Sequence, residues 1–362
     1  MKKTLLMKSR EKATDKIKYS ILVFFCLTFC VLLTVYAPQS KNGISQALEI
    51  CSKTVIPSLF PFMFLSSFMS ESGIFNRNFK VLDKITKTVF NLPQTAFAVF
   101  IMSGLGGFPV GGKMTKQLYE RGYLTQNQAQ RLLLFSVNPG PAFTFSVIGL
   151  SLFGNIKIGY IVYASILISN FIIALLSRFI SDSDTVGSIN NERHELYTAF
   201  VHSGSNAATS MVSICTFVLI FSCLESVLSG LIDNETVIDV LSGTLEVTTG
   251  CKRLARFSSV PLIAGITAWG GVSVHCQIAD CIKKTGLDLK LFLTARLLSA
   301  GMSSVICDFL LKIFPTEIYA LAANANVTSV MSETSFPISV AMLLTCCVFL
   351  IGDYSFNSKR KC

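Results

Sequence analysis

The chain has 362 residues, of which 51% are hydrophobic and 14% charged, with a mean hydropathy of +0.58. Soluble domains carry about 25% charged residues, so this composition excludes a soluble enzyme, a disordered chain and a disulfide scaffold and describes a polytopic membrane protein. The net charge of +10 would point to nucleic acid in a soluble chain, but no basic groove with interleaved aromatics accompanies it, so no nucleic-acid partner is expected.

In chain order, Lys2, Lys3, Lys8, Arg10, Lys12, Lys16 and Lys18 precede a first apolar run, Ile21–Tyr36, and Lys359, Arg360 and Lys361 close the chain. This is the positive-inside pattern, which predicts both termini in the cytoplasm. No small-x-small cleavage site follows the first run, which continues Ala37-Pro38-Gln39-Ser40, so it reads as a retained helix. Unbroken spans of roughly 20 apolar residues are predicted at Ile158–Ile180, Ala208–Leu231, Leu289–Ile313 and Phe336–Ile351.

Other apolar stretches are interrupted. Val55–Met69 carries Pro57 and Pro61. Ala96–Met102 stops in the glycine-rich string Ser103–Lys113. Leu132–Val137 is cut by Asn138-Pro139-Gly140-Pro141 and resumes as Ala142–Phe153. Val237–Leu245 meets Glu246 and then Thr248-Thr249-Gly250. Val260–Ala268 is cut by Trp269-Gly270-Gly271. Such breaks at membrane depth leave backbone groups unpaired, which is tolerated only under protein cover or beside a wet cavity. Basic residues flank both Phe75–Lys87 and Lys113–Arg121, so the segment between can cross or re-enter.

Two of the breaks look like copies. Gly106-Gly107-Phe108-Pro109-Val110 is followed by a polar helix and Gly122; Gly270-Gly271-Val272-Ser273-Val274 is followed by a polar helix and Gly286. Both offsets, 270 − 106 and 286 − 122, equal 164. Each copy leads into an apolar helix bearing Arg131 or Arg296. Interrupted segments in corresponding positions of two halves point to a transporter site at a repeat interface. The expected fold is all-α and polytopic, with two structural repeats, read as inverted although sequence leaves parallel ones open. The expected divisions are a basic leader and first helix (1–40), a first repeat (41–180), a polar linker with an interfacial helix (181–207), a second repeat (208–352) and a basic tail (353–362).

The candidate substrate-binding residues stand at the breaks. Gly106, Gly107, Gly111 and Gly112 let backbone approach a ligand, Pro109 opens a half-helix, and Lys113 places a cation beside its amides; the alternative for Lys113 is a snorkelling interfacial role. Asn138 and Gly140 stand in the Pro-flanked break, where the Asn amide serves either freed backbone or a ligand. Thr248 follows Glu246; Ser273, His275 and Gln277 follow Gly270-Gly271. Glu246 reads as a group for a coupling proton or cation, or as a charge pair with Lys252 or Arg253. His275 reads either as a proton-handling group or as a hydrogen-bonded core residue, and Trp269 as packing. The twelve Cys form no C-x-x-C pair and three His are scattered, so no metal site or cofactor is expected. The glycine-rich string lacks the Ser or Thr of a P-loop. No nucleophile pairs with a base, so no catalytic residue is assigned and no enzyme is expected.

At these residues the sequence resembles the YlbJ-type sporulation integral membrane proteins, which group with the nucleoside-recognition or Gate-domain membrane proteins. The resemblance is carried by Gly107–Lys113, Leu245–Gly250, Ala268–Gln277 and the Asn138–Phe143 break, and with hydropathy it covers about Ser45 to Ile351. The family more often has Tyr where Phe108 stands and more polar residues where Val137 and Pro139 stand, differences that bear on affinity or selectivity. The resemblance implies a role in endospore formation, moving dipicolinic acid from the mother cell across the outer forespore membrane. It also implies similarity to concentrative nucleoside carriers, with re-entrant hairpins around a midplane site.

The expected function is therefore a membrane transporter of a small anionic metabolite, with dipicolinate the favoured substrate and Glu246 carrying a coupling ion or holding Lys113 in place. The alternatives are a nucleoside or ion carrier and a non-transporting scaffold or receptor subunit of a sporulation complex. Lipid surrounds the protein, in the cell membrane or outer forespore membrane, and assembly into a homo-oligomer is left open.

Overall fold

The computed structural model describes residues 2–74, 80–180 and 195–316, with side chains from residue 19 onward and again from 83. The expected span Phe336–Ile351, the tail 353–362 and residues 181–194 of the linker lie outside the described residues. Among the described residues every regular element is helical.

The first helix, α1 (Lys2–Val35), exposes its apolar part on all sides; Phe24 is 72% and Val35 66% exposed. In a membrane chain that surface belongs to lipid. Helices α2 (Ala37–Ile50) and α3 (Ile56–Glu71) follow, joined by a π-turn at Cys51–Val55. The interruption expected at Pro57 and Pro61 is absent, and one helical stretch runs Ala37–Glu71. Pro57 falls in the first turn of α3, and the π-turn before it accommodates the missing N–H. The Ser58 hydroxyl donates to the carbonyl of Thr54 at 2.6 Å.

The next helices are short: α4 (Lys80–Phe90), α5 (Thr95–Gly106), α6 (Phe108–Glu120) and α7 (Gln126–Phe135). From Asp83, α4 is bent 79° from α5. Residues 136–140 are irregular, then a π-helix (Ala142–Leu152) leads to the long α8 (Ile156–Ser177). Another long helix, α9 (Leu196–Leu231), opens the second half. It is followed by α10 (Glu235–Leu245), α11 (Val247–Leu254), α12 (Val260–Trp269), α13 (Gly271–Ile282) and α14 (Leu289–Ile313). The two halves share some features without matching element for element. A stretch of 35 residues opens the first and one of 36 the second, and Gly107 and Gly271, like Gly122 and Gly286, share positive φ.

Among the described residues, five helical stretches are long and apolar enough to cross a membrane, or six if the bent α4–α5 pair is one span. They meet through small residues, as lipid-embedded helices do when no water is present to drive association. A Cβ on Gly43 would lie 2.6 Å from the carbonyl of Ser222, which sets the close approach of α2 to α9. One core joins α3, α5, α6, α7 and α13; another joins the π-helix, α8, α11, α12 and α14. Phe108, at the start of α6, packs against both.

Candidate functional site

The helix breaks converge. Gly107 has φ +83 and ψ 177, a conformation open to glycine, and it ends α5 while starting α6. A Cβ there would sit 2.9 Å from Leu59 and 3.5 Å from the amide of Gly140, so the α5–α6 break lies against the irregular 136–140 segment. In the second half, Gly271 has φ +79 and its added Cβ would lie 2.9 Å from the carbonyl of Leu245. The α12–α13 break therefore lies against the α10–α11 break.

All four breaks line one cavity of about 230 Å³. Gly107, Phe108 and Pro109 come from the first, Gly140 and Phe143 from the second, Glu246 and Thr248 from the third, and Ser273 and Gln277 from the fourth. Leu59 and Phe62 of α3 and Ile214 of α9 complete apolar walls. The first turns of α6, the π-helix, α11 and α13 all contribute to this lining. First turns carry the positive end of the helix dipole, while the amides of Val110, Phe143 and Thr249 are already bonded to Gly107, Gly140 and Glu246.

Glu246 is 3% exposed and extended between α10 and α11. Its Oε2 accepts from the Thr249 amide at 2.7 Å and the Thr249 hydroxyl at 3.1 Å, capping α11. Among the described residues both side-chain hydrogen bonds of Glu246 fall on Oε2, and Oε1 takes part in neither. The expected charge pair does not form. Arg253 instead binds Glu225 at 2.7 Å and Asp239 at 3.7 Å, because α11 turns it away from the cavity toward α9 and α10.

Lys113 is not held by Glu246 either. Its Nζ donates to the carbonyl of Asn206 at 2.6 Å and to the Ser210 hydroxyl, both on α9. It lines a second cavity, of about 460 Å³, with many charged neighbours. Pro109, Ile214 and Gln277 line both cavities.

The structure thus brings Gly107, Pro109, Gly140, Glu246, Thr248, Ser273 and Gln277 to one cavity and places Lys113 in its neighbour. Gly106, Gly111, Gly112, Asn138 and His275 line neither. Gly106 packs on Phe62 and Val110, and Gly112 on Ile278 across the α6–α13 contact. A Cβ on Gly111 would come within 1.6 Å of the Ser136 carbonyl, so this glycine admits the backbone after α7 rather than a ligand.

Asn138 serves backbone and side-chain partners. It donates to Ser103 at 2.9 Å and to the Phe135 carbonyl at 3.2 Å, and accepts from Asn170 at 2.5 Å. His275 bonds the Trp269 carbonyl at 3.0 Å and meets the Trp269 ring edge-on, with centroids 4.1 Å apart. That is the core reading of this histidine. Sequence reasoning passed over Leu59, Phe62, Phe143, Asn206 and Ser210. The run Ser203, Ser205, Asn206, Thr209, Ser210 and Ser213 at the start of α9 was the available signal for the last two.

The chain is similar to the sporulation integral membrane protein YlbJ of Bacillus subtilis (strain 168), with 25% identity over 347 residues that span 82% of this chain and 84% of that one. No family model matches the chain, and no solved structure does. Similarity across most of both chains, joined to the all-helical fold and its membrane spans, supports the resemblance of this chain to the YlbJ-type sporulation integral membrane proteins.

Proposed function

We propose that the protein carries a small planar anion, dipicolinate in a sporulating cell, across the outer forespore membrane, with both termini cytoplasmic. The observation that supports this reading is the meeting of four breaks, far apart in sequence, around one cavity of about 230 Å³. Dipicolinate is a flat ring with two carboxylates. Apolar walls such as Phe62 and Phe108 suit the ring, and the positive ends of the helix dipoles that meet there suit its carboxylates. The name of the similar B. subtilis protein supplies the link to sporulation.

Glu246 favours a second feature of this reading. A carboxylate inside an apolar cavity repels a dianion unless it holds a cation. In the carrier it binds a coupling proton or metal cation beside the substrate. The same carboxylate suits a neutral nucleoside, whose hydroxyls donate to it, and that is the competing substrate class.

The test is uptake of labelled dipicolinate, beside labelled uridine, into proteoliposomes of the purified protein. Saturable dipicolinate uptake that falls at least about five-fold in Gln277→Leu, as loss of one buried polar contact implies, supports the carrier. Uridine uptake without dipicolinate moves the protein to the nucleoside class. Flux of neither, from protein whose unfolding remains cooperative, leaves the scaffold reading in its place.

A further inference from the structure

The larger cavity has a charge pattern that the inner one lacks. Three of its cations face carboxylates: Arg121 pairs with Glu71, Lys283 with Asp280 at 2.7 Å, and Lys116 with Glu120 at 3.8 Å. Lys113 has no carboxylate within ion-pair distance among the described residues. It donates two of its three N–H groups to neutral oxygens of α9. One N–H and a whole positive charge are left for a ligand in the cavity.

The two cavities meet at Pro109, Ile214 and Gln277. Pro109 stands in the first turn of α6 and Lys113 lies one turn further on the same helix. Along α6, the way from Lys113 to Pro109 therefore leads from the larger cavity to the edge of the inner one. Ile214 is an apolar plug on that path, and Gln277 a polar one.

We propose that the 460 Å³ cavity is a capture vestibule for carboxylate anions, with Lys113 as its binding group and Pro109, Ile214 and Gln277 as the partition to the inner cavity. This rests on the carrier reading for the fate of the anion, but anion capture itself does not require transport. Lys113 then sets how readily an anion arrives, while the inner cavity sets which anion passes. The short contacts from Lys113 to Asn206 and Ser210 also tie α6 to α9, so capture and the relative position of those helices are linked.

Cys281 lines the vestibule and supplies a native reporter, whereas Cys251 is fully buried and serves as the internal control. The full-length protein in proteoliposomes is treated with an anionic methanethiosulfonate or its trimethylammonium analogue, and labelling of each cysteine is followed by peptide mass spectrometry. The expected result is labelling of Cys281 but not Cys251, with the anionic reagent favoured about five-fold, the factor given by one nearby unit charge in a largely aqueous setting. Lys113→Gln removes the preference while leaving labelling by the cationic reagent intact, and millimolar dipicolinate slows the anionic reagent in the wild type. The inference is overturned if Cys281 reacts no faster than Cys251, or if the anion preference survives Lys113→Gln. Anion-selective labelling in protein that transports no dipicolinate would refute the carrier and retain the vestibule. Transport with no anion preference at Cys281 would do the reverse.

Discussion

The Arg296 guanidinium donates to the carbonyl of Val137 at 2.5 Å, across 159 residues of chain. The same fork donates to the Leu134 carbonyl and reaches Asn170 Oδ1 at 3.1 Å. Those carbonyls are left over where α7 stops and the irregular segment begins. A buried cation is a good partner for a helix C-terminus. Arg131 does the same for α4, donating to Phe90 at 2.6 Å and Asn91 at 3.1 Å. The arginines that marked the two halves in the sequence are therefore caps for broken helices.

Replacing Arg296 by Met should cost about 3 kcal/mol, because two buried carbonyls and Asn170 lose their donor together. Arg296→Lys should recover little of this, since one ammonium cannot reproduce the planar fork. Thermal unfolding in detergent measures both. A loss below about 1 kcal/mol for Arg296→Met would show that the carbonyls find other partners.

Gly111 and Gly204 make a contrasting pair. Gly111→Ala should prevent recovery of folded protein, because its Cβ meets a backbone oxygen at 1.6 Å and that oxygen belongs to a segment pinned by Arg296 and Asn138. Gly204 lies within α9 with open space around it. Gly204→Ala should be neutral or raise stability by about 0.5–1 kcal/mol. Monodispersity and melting temperature in detergent read out both.

Glu246→Gln keeps an acceptor for the α11 cap but removes the charge. Stability should change by no more than about 1 kcal/mol, while accumulation against a gradient loses its ion dependence. Uptake measured with and without an imposed proton or sodium gradient separates these effects. Unchanged transport with unchanged ion dependence would reduce Glu246 to a cap.

Arg253 joins three elements, binding Glu225 of α9, Ser229 of α9 and Asp239 of α10 from its place on α11. Arg253→Ala should destabilise the protein by about 2–3 kcal/mol, chiefly by stranding the buried Glu225 carboxylate. Adding Glu225→Ala should return part of the loss. A double-mutant cycle on thermal stability gives the coupling, and strictly additive losses would mean that the pair is solvated independently.

Much of the architecture was legible because membrane insertion leaves strong marks on a sequence. Hydropathy located α8, α9 and α14 within a few residues, apart from the interfacial start of α9. Glycine conformation located the breaks at Gly107 and Gly270-Gly271. The prolines of α3 misled, because the chain before Pro57 widens into a π-turn and the helix continues through Pro61.

The site was legible only in part, for a related reason. Which residues interrupt helices is a property of local chain chemistry, and by itself the sequence determined an all-helical membrane protein with broken segments in two halves. Which interruptions face one another depends on helices hundreds of residues apart packing at particular angles. Only the tertiary structure decided that Gly107, Gly140, Glu246 and Ser273 share a cavity, that Lys113 stands in the chamber beside it, and that Asn138 and His275 spend their polar groups on the fold. A polar side chain in a low-dielectric interior must find a partner, and the residue type does not say whether that partner is backbone or ligand.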